Sequence, residues 1–73
     1  MPNTTAVHLT PREGDVLSFI SDFLRDRGWP PTRREIAKHF GWASDNAAEI
    51  HVRNLERKGY LRVERTHRGI AVL

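Results

Sequence analysis

The residues best suited to chemistry lie in one run, Ser44-Asp45-Asn46-Ala47-Ala48-Glu49-Ile50-His51-Val52-Arg53-Asn54-Leu55-Glu56-Arg57. At helical spacing, Ala48, Val52 and Leu55 fall within about 60° of one another and mark a core face. The opposite face carries Asn46, Ala47, Ile50, Arg53, Asn54 and Arg57, with Glu49 at its flank. Amides and guanidiniums pair with purine edges, and hydroxyls and carboxylates also address bases. Ala or a branched aliphatic packs on a thymine methyl. The pattern therefore points to base reading in duplex DNA. Ile50 stands at the centre of this face and leaves two readings open: a wider core stripe, or contact with a base or a partner.

Two groups of cations flank that run. Arg33 and Arg34 follow Thr32 at the start of a second helical stretch, where backbone N–H groups also favour an anion. Arg65, His67 and Arg68 crowd a short turn near the end. Thr32, Arg33, Arg34, Arg53, Arg65 and Arg68 are the expected phosphate contacts. Charge is distributed to match. Residues 1–28 hold three Arg against four acids, whereas residues 29–73 hold nine Lys or Arg against five. A basic half points to a polyanion.

Other chemistries find little support. The chain has no Cys, which excludes disulfides, thiolate metal sites and cysteine nucleophiles. The four His share no metal spacing, and no Ser-His-Asp set or Gly-rich phosphate loop is present. His51 sits at the edge of the core stripe and reads as packed. No enzyme activity, metal or cofactor is expected. The apolar runs are too short to span a membrane, and the start, Met-Pro-Asn-Thr-Thr-Ala-Val-His, has no signal-peptide pattern. A cytoplasmic location is expected.

The elements that must hold these residues are legible. With 73 residues, the chain has room for one domain. Residues 1–8 read as a flexible tail and 9–73 as the domain. Thr10-Pro11-Arg12-Glu13 is a capping box with Pro at the first helical position. Val16, Leu17, Phe19, Ile20, Phe23 and Leu24 then cover an arc of roughly 160°. Gly28 closes a first helix over 11–27. Trp29-Pro30-Pro31 breaks it. Thr32-Arg33-Arg34-Glu35 is a second capping box, opening a helix over 33–40 that Gly41 closes. Ser44 caps a third helix over 45–58. Trp29 and Trp42, in turns beside apolar helix ends, are expected to pack as core or staple. After Gly59 the period drops to two, so 60–64 and 70–73 read as strands of a hairpin. The predicted class is α+β and mainly α: a winged helix-turn-helix, three helices followed by a two-stranded wing.

The runs Leu9-Thr10-Pro11-Arg12-Glu13 and Gly28-Trp29-Pro30-Pro31-Thr32-Arg33-Arg34-Glu35-Ile36-Ala37 resemble the DNA-binding domain of LexA-type SOS repressors. So do Gly41-Trp42-Ala43-Ser44-Asp45-Asn46-Ala47-Ala48-Glu49, Leu55-Glu56-Arg57-Lys58-Gly59 and Arg68-Gly69-Ile70. The resemblance covers residues 9–73. It implies sequence-specific binding to double-stranded DNA in transcriptional regulation, as a bacterial or phage repressor whose third helix enters the major groove. It also implies base contacts from Ser44, Asn46, Ala47 and Glu49. Where the family commonly has a second acid after Glu49, this chain has Ile50, so Ile50 joins the expected base contacts, with a half-site richer in T. The hairpin turn is a residue shorter than usual. The sequence stops at the second wing strand, before the self-cleaving, dimerising domain of such repressors. A monomer in free solution, paired on DNA by DNA-assisted contacts or a partner protein, is therefore expected. The alternative is a winged helix used as a protein-interaction module, or a phage- or plasmid-borne modulator of a host regulator.

Overall fold

The computed structural model describes residues 8–64 and 69–73. It contains α1 (Pro11–Arg27), α2 (Arg33–Phe40), α3 (Asp45–Arg57), β1 (Leu61–Val63) and β2 (Ile70–Val72). The strands pair antiparallel, with Leu61 opposite Val72, Arg62 opposite Ala71 and Val63 opposite Ile70. Three helices followed by a hairpin is the predicted winged helix-turn-helix arrangement.

Local signals set the helix starts. Thr10 Oγ1 accepts from the Glu13 N–H at 3.1 Å, and the Glu13 carboxylate accepts from the Thr10 N–H at 3.0 Å. The same reciprocal box joins Thr32 and Glu35 at 3.1 and 2.8 Å. Each closes two donors that a helix start leaves unpaired. Gly28 and Gly41 end α1 and α2 in the left-handed conformation, as the sequence predicts. α3 ends one residue earlier than predicted. Lys58 is its cap, and the Gly59 N–H turns back to the Glu56 carbonyl at 3.0 Å, tightening the last turn. The strands are shorter than predicted: β1 lacks Tyr60 and Glu64, and β2 lacks Leu73. Tyr60 is spent on the turn, its N–H donating to the Leu55 carbonyl at 3.0 Å, and its carbonyl accepts from the Leu73 N–H at 3.1 Å.

The core joins all five elements. Val16 and Ile20 of α1 meet Ile36 and Ala37 of α2, Ala48, Val52 and Leu55 of α3, and Leu61 and Ile70 of the hairpin. Each fully buried Ile, Leu or Val contributes about 1.5–3 kcal/mol relative to exposure. A row of rings continues the core outward: the Phe19 centroid lies 4.0 Å from His39, Phe40 4.8 Å from Trp42, and Trp42 5.2 Å from His51. His51 and Trp42 are thus packed as expected. Trp29 is 49% exposed and so stands outside the buried core, whereas Pro31 in the same turn is fully buried.

Two ion pairs tie α3 to the other helices. Lys58 Nζ donates to the Glu13 carboxylate at 2.6 Å and to the His8 carbonyl at 2.8 Å. Glu13 is buried, which its capping role alone does not foretell. The Lys58 hydrogen bond, then the capping bond from Thr10, hold its carboxyl below the ordinary value despite burial. The second pair belongs to the site. No described helix is long and apolar enough to cross a membrane.

Candidate nucleic-acid interface

α3 presents the predicted face. With Ala48, Val52 and Leu55 fully buried, the helix turns Asn46, Ile50, Arg53 and Arg57 outward. Ile50 is 51% exposed, which removes it from the core stripe. Ala47 and Glu49 are half-buried at the flanks. Ser44 is exposed at the head of the helix, and its hydroxyl oxygen accepts from the Asn46 N–H at 3.3 Å. That bond fixes the first turn on which Asn46 and Ala47 ride.

The start of α2 adjoins this face through one side chain. Arg33 Nε donates to Glu49 Oε1 at 2.8 Å, and Arg53 Nε donates to Glu49 Oε2 at 2.6 Å. Burial is the largest single influence on Glu49 and acts to raise its pKa. The hydrogen bonds from Arg53 and Arg33, with their charge, outweigh it and hold the carboxyl below its usual range. Arg53 is correspondingly held above its ordinary value, first by its hydrogen bond to Glu49 and then by that carboxylate's charge. It also lies 3.6 Å from Glu56.

The two arginines at the start of α2 part company. Arg34 is exposed, whereas the Arg33 side chain is only 18% exposed. Thr32 is half-buried, its hydroxyl accepting within the capping box.

The wing closes the surface from the other side. Glu56 of α3 accepts from the Val63 N–H at 3.1 Å, anchoring β1 to the helix. The Glu64 N–H donates to the Gly69 carbonyl at 2.9 Å, clasping the hairpin loop. Gly69 has φ +75°, and a Cβ there would lie 3.0 Å from Arg33 Nη1 and 3.4 Å from the Glu64 carbonyl. Only glycine accepts both constraints without strain or displacement of its neighbours. The predicted phosphate contacts Arg65 and Arg68 lie outside the described residues.

The structure therefore brings Thr32, Arg33, Arg34, Ser44, Asn46, Ala47, Glu49, Ile50 and Arg53 onto adjoining elements, with the wing base beside Arg33. Sequence reasoning misses the bridge between Arg33 and Glu49, because nothing in a linear spacing of sixteen residues announces it. The pairing of Glu49 with Arg53 is legible, since i and i+4 share a helix face. The Glu56 anchor leaves no periodic signal.

Among the described residues, no group of three His, Asp or Glu side chains is arranged to hold a metal ion. Two shallow grooves of about 340 and 300 Å³ lie around Phe19 and His39, and no wall of either comes from α3.

The model of the LexA DNA binding domain matches residues 6–69. The chain belongs to the LexA DNA-binding domain family. Its similarity to LexA repressors is substantial. It is 57% identical to the LexA repressor of Pseudomonas aeruginosa over 51 residues, which is 70% of this chain and 25% of that protein. It is 45% identical to that of Glaesserella parasuis over 67 residues, 90% of this chain and 32% of that protein. It is 49% identical to that of Thiobacillus denitrificans over 63 residues, 85% and 32% of the two chains. The chain spans about a quarter to a third of the length of these LexA relatives.

Proposed function

We propose that this LexA-family domain binds double-stranded DNA sequence-specifically and represses transcription, with α3 in the major groove. What carries the reading is the exposed face of α3: an amide, an apolar branch and guanidiniums, bordered by the start of α2 and the wing base. Ser44, Asn46, Ala47, Glu49 and Ile50 take the base edges. Thr32, Arg34 and Arg53, with Arg65 and Arg68 from the wing loop, take phosphates. Arg68 also suits the minor groove. Selection of duplexes from a random pool by the 73-residue chain tests this. A recurring motif is expected; recovery without any motif rejects sequence-specific binding.

The described large apolar side chains that stay exposed lie apart in the chain: Trp29 in the turn between α1 and α2, Ile50 on α3 and Leu73 after β2. A chain with this surface is a monomer at micromolar concentration. It binds a lone half-site weakly and fills a two-site operator as a DNA-assisted pair. Sedimentation equilibrium without DNA checks this; a stable dimer contradicts it. The exposure of Ile50 and Trp29 also favours a second reading, a winged helix that docks on a protein. Salt separates the two, because phosphate contacts make affinity fall steeply with salt and an apolar interface does not.

A further inference from the structure

Arg33 is placed by its sequence among the phosphate contacts, yet its geometry serves something else. The residue opens α2, but its side chain leaves that helix. Nε reaches Glu49 on α3 at 2.8 Å, and Nη1 stands 3.0 Å from the point a Gly69 Cβ would occupy. One guanidinium therefore meets the carboxylate of α3 and the returning end of the wing loop. The contrast with other paired arginines is sharp. Its side chain is 18% exposed, whereas those of Arg12, Arg25, Arg53 and Arg62 are 53–70% exposed.

Glu49 is the side chain that gains most. Left alone beside an anionic duplex, a carboxylate repels phosphates and samples several rotamers. Here each of its oxygens accepts from a different arginine. With Glu56 3.6 Å from Arg53, two guanidiniums face two carboxylates, and the charge of Glu49 is offset within the cluster. The carboxylate is held in one orientation, with lone pairs remaining for an amino group such as that of cytosine. Arg53 comes from the same helix as Glu49 and is well exposed, so it can swing to a phosphate. Arg33 comes from another helix and is packed, so it is the fixed half of the clamp.

We infer that Arg33 is a positioning residue for specificity: it orients Glu49 toward a base and locks the wing base against α3, without being a principal phosphate contact. This rests on the DNA-binding reading above. It departs from the phosphate role that the sequence assigns to Arg33 in predicting that loss of Arg33 harms discrimination more than general affinity. A phosphate clamp behaves the opposite way, weakening all sites alike and lowering the salt slope by about 0.9.

The test has a part without DNA and a part with it. Arg33→Met keeps the apolar stem and removes the guanidinium. In the free 73-residue chain, the Glu49 carboxyl carbon is followed by NMR through an acid titration. Its midpoint is expected to move up in the Met variant; an unchanged midpoint overturns the pairing and the proposal with it. Binding is then measured by fluorescence anisotropy on the selected duplex and on its single-base-pair variants. Arg33→Met is expected to flatten preference about tenfold at one or two adjacent base pairs, the scale of one good base contact. Its salt slope should stay within half a unit of the parent. In a Glu49→Ala background, Arg33→Met should change preference at those base pairs almost no further, because the carboxylate it orients is already gone. Uniform weakening, a slope lower by about one unit, and full additivity with Glu49→Ala overturn the proposal and return Arg33 to the phosphates. Should Arg33→Met melt below the working temperature, Arg33→Lys replaces it. A point charge is expected to keep the slope and lose part of the discrimination; full recovery of both overturns the positioning role. If the parent itself selects no motif, the DNA reading fails while the titration still decides whether Arg33 holds Glu49.

Discussion

α3 is tied down at both ends by ion pairs, and the two are built differently. At its C-terminal end Lys58 meets Glu13 of α1, with the acid 7% and the ammonium 20% exposed. One acid faces one base, and the acid is also consumed by its own helix cap. At the N-terminal end Glu49 meets two arginines, one packed and one 58% exposed. The first arrangement is balanced and closed. The second is a shared network, in which Arg53 also lies 3.6 Å from Glu56, and it opens onto the face that carries Asn46 and Ile50. Burial and balance mark a pair that holds the fold. Exposure, and a place beside Asn46 and Ile50, suit the second to the interface proposed above.

The largest effect should come from breaking the closed pair. Glu13→Ala removes a capping box and strands Lys58, and should cost about 2–3 kcal/mol of stability, or roughly 10–20 °C in Tm. DNA preference measured below the new Tm should be unchanged. A shifted base preference in that variant would dissolve the distinction between the two ends.

Next comes Asn46→Ala on the open side. It should leave Tm within about 2–4 °C of the parent, since Asn46 is exposed. It should cost about 1–3 kcal/mol on the selected site and flatten one base pair. Equal binding to every site would mean that α3 is not the reader.

Ile50 sharpens the comparison further. It cannot accept a hydrogen bond, so it should prefer a thymine methyl, and Ile50→Glu should move that position toward C. Being 51% exposed, it should alter stability by less than about 0.5 kcal/mol. If Ile50→Glu is silent on every duplex, Ile50 lies off the groove and belongs to a protein partner. Smaller still is Arg34→Ala, which should weaken all sites alike and lower the salt slope by about one unit; a loss confined to one base pair would give Arg34 a base instead.

Acid should undo both ends. The folded carboxyls of Glu13 and Glu49 titrate below their ordinary value of 4.5. The stability they contribute is complete above that pH and is lost as pH falls through their lower folded values. Glu13→Gln should flatten this acid limb in pH-dependent melts; an unchanged limb would show that the closed pair carries no charge-linked stability.

Most of the fold was legible because its instructions are local. Two capping boxes, two left-handed glycines and a change of period specify α1, α2 and the hairpin with little help from tertiary contact. The outward face of α3 was legible for the same reason, since three core positions fix the helix's rotation. What stayed hidden is long-range. Glu13 reads as a cap and becomes half of a buried pair with Lys58. Arg33 reads as a surface cation and becomes a bridge. In each case a partner distant in sequence decides the role, and no spacing rule reaches that far.

The bond between Glu64 and Gly69 has a consequence for engineering. The Glu64 N–H reaches the Gly69 carbonyl at 2.9 Å, one step beyond the pairing of Val63 with Ile70, and so marks where a graft can begin. A loop of another length spliced between these two residues is expected to leave Leu61 opposite Val72 and Arg62 opposite Ala71. Slow amide exchange in both strands of such a chimera would show that the register survives the splice.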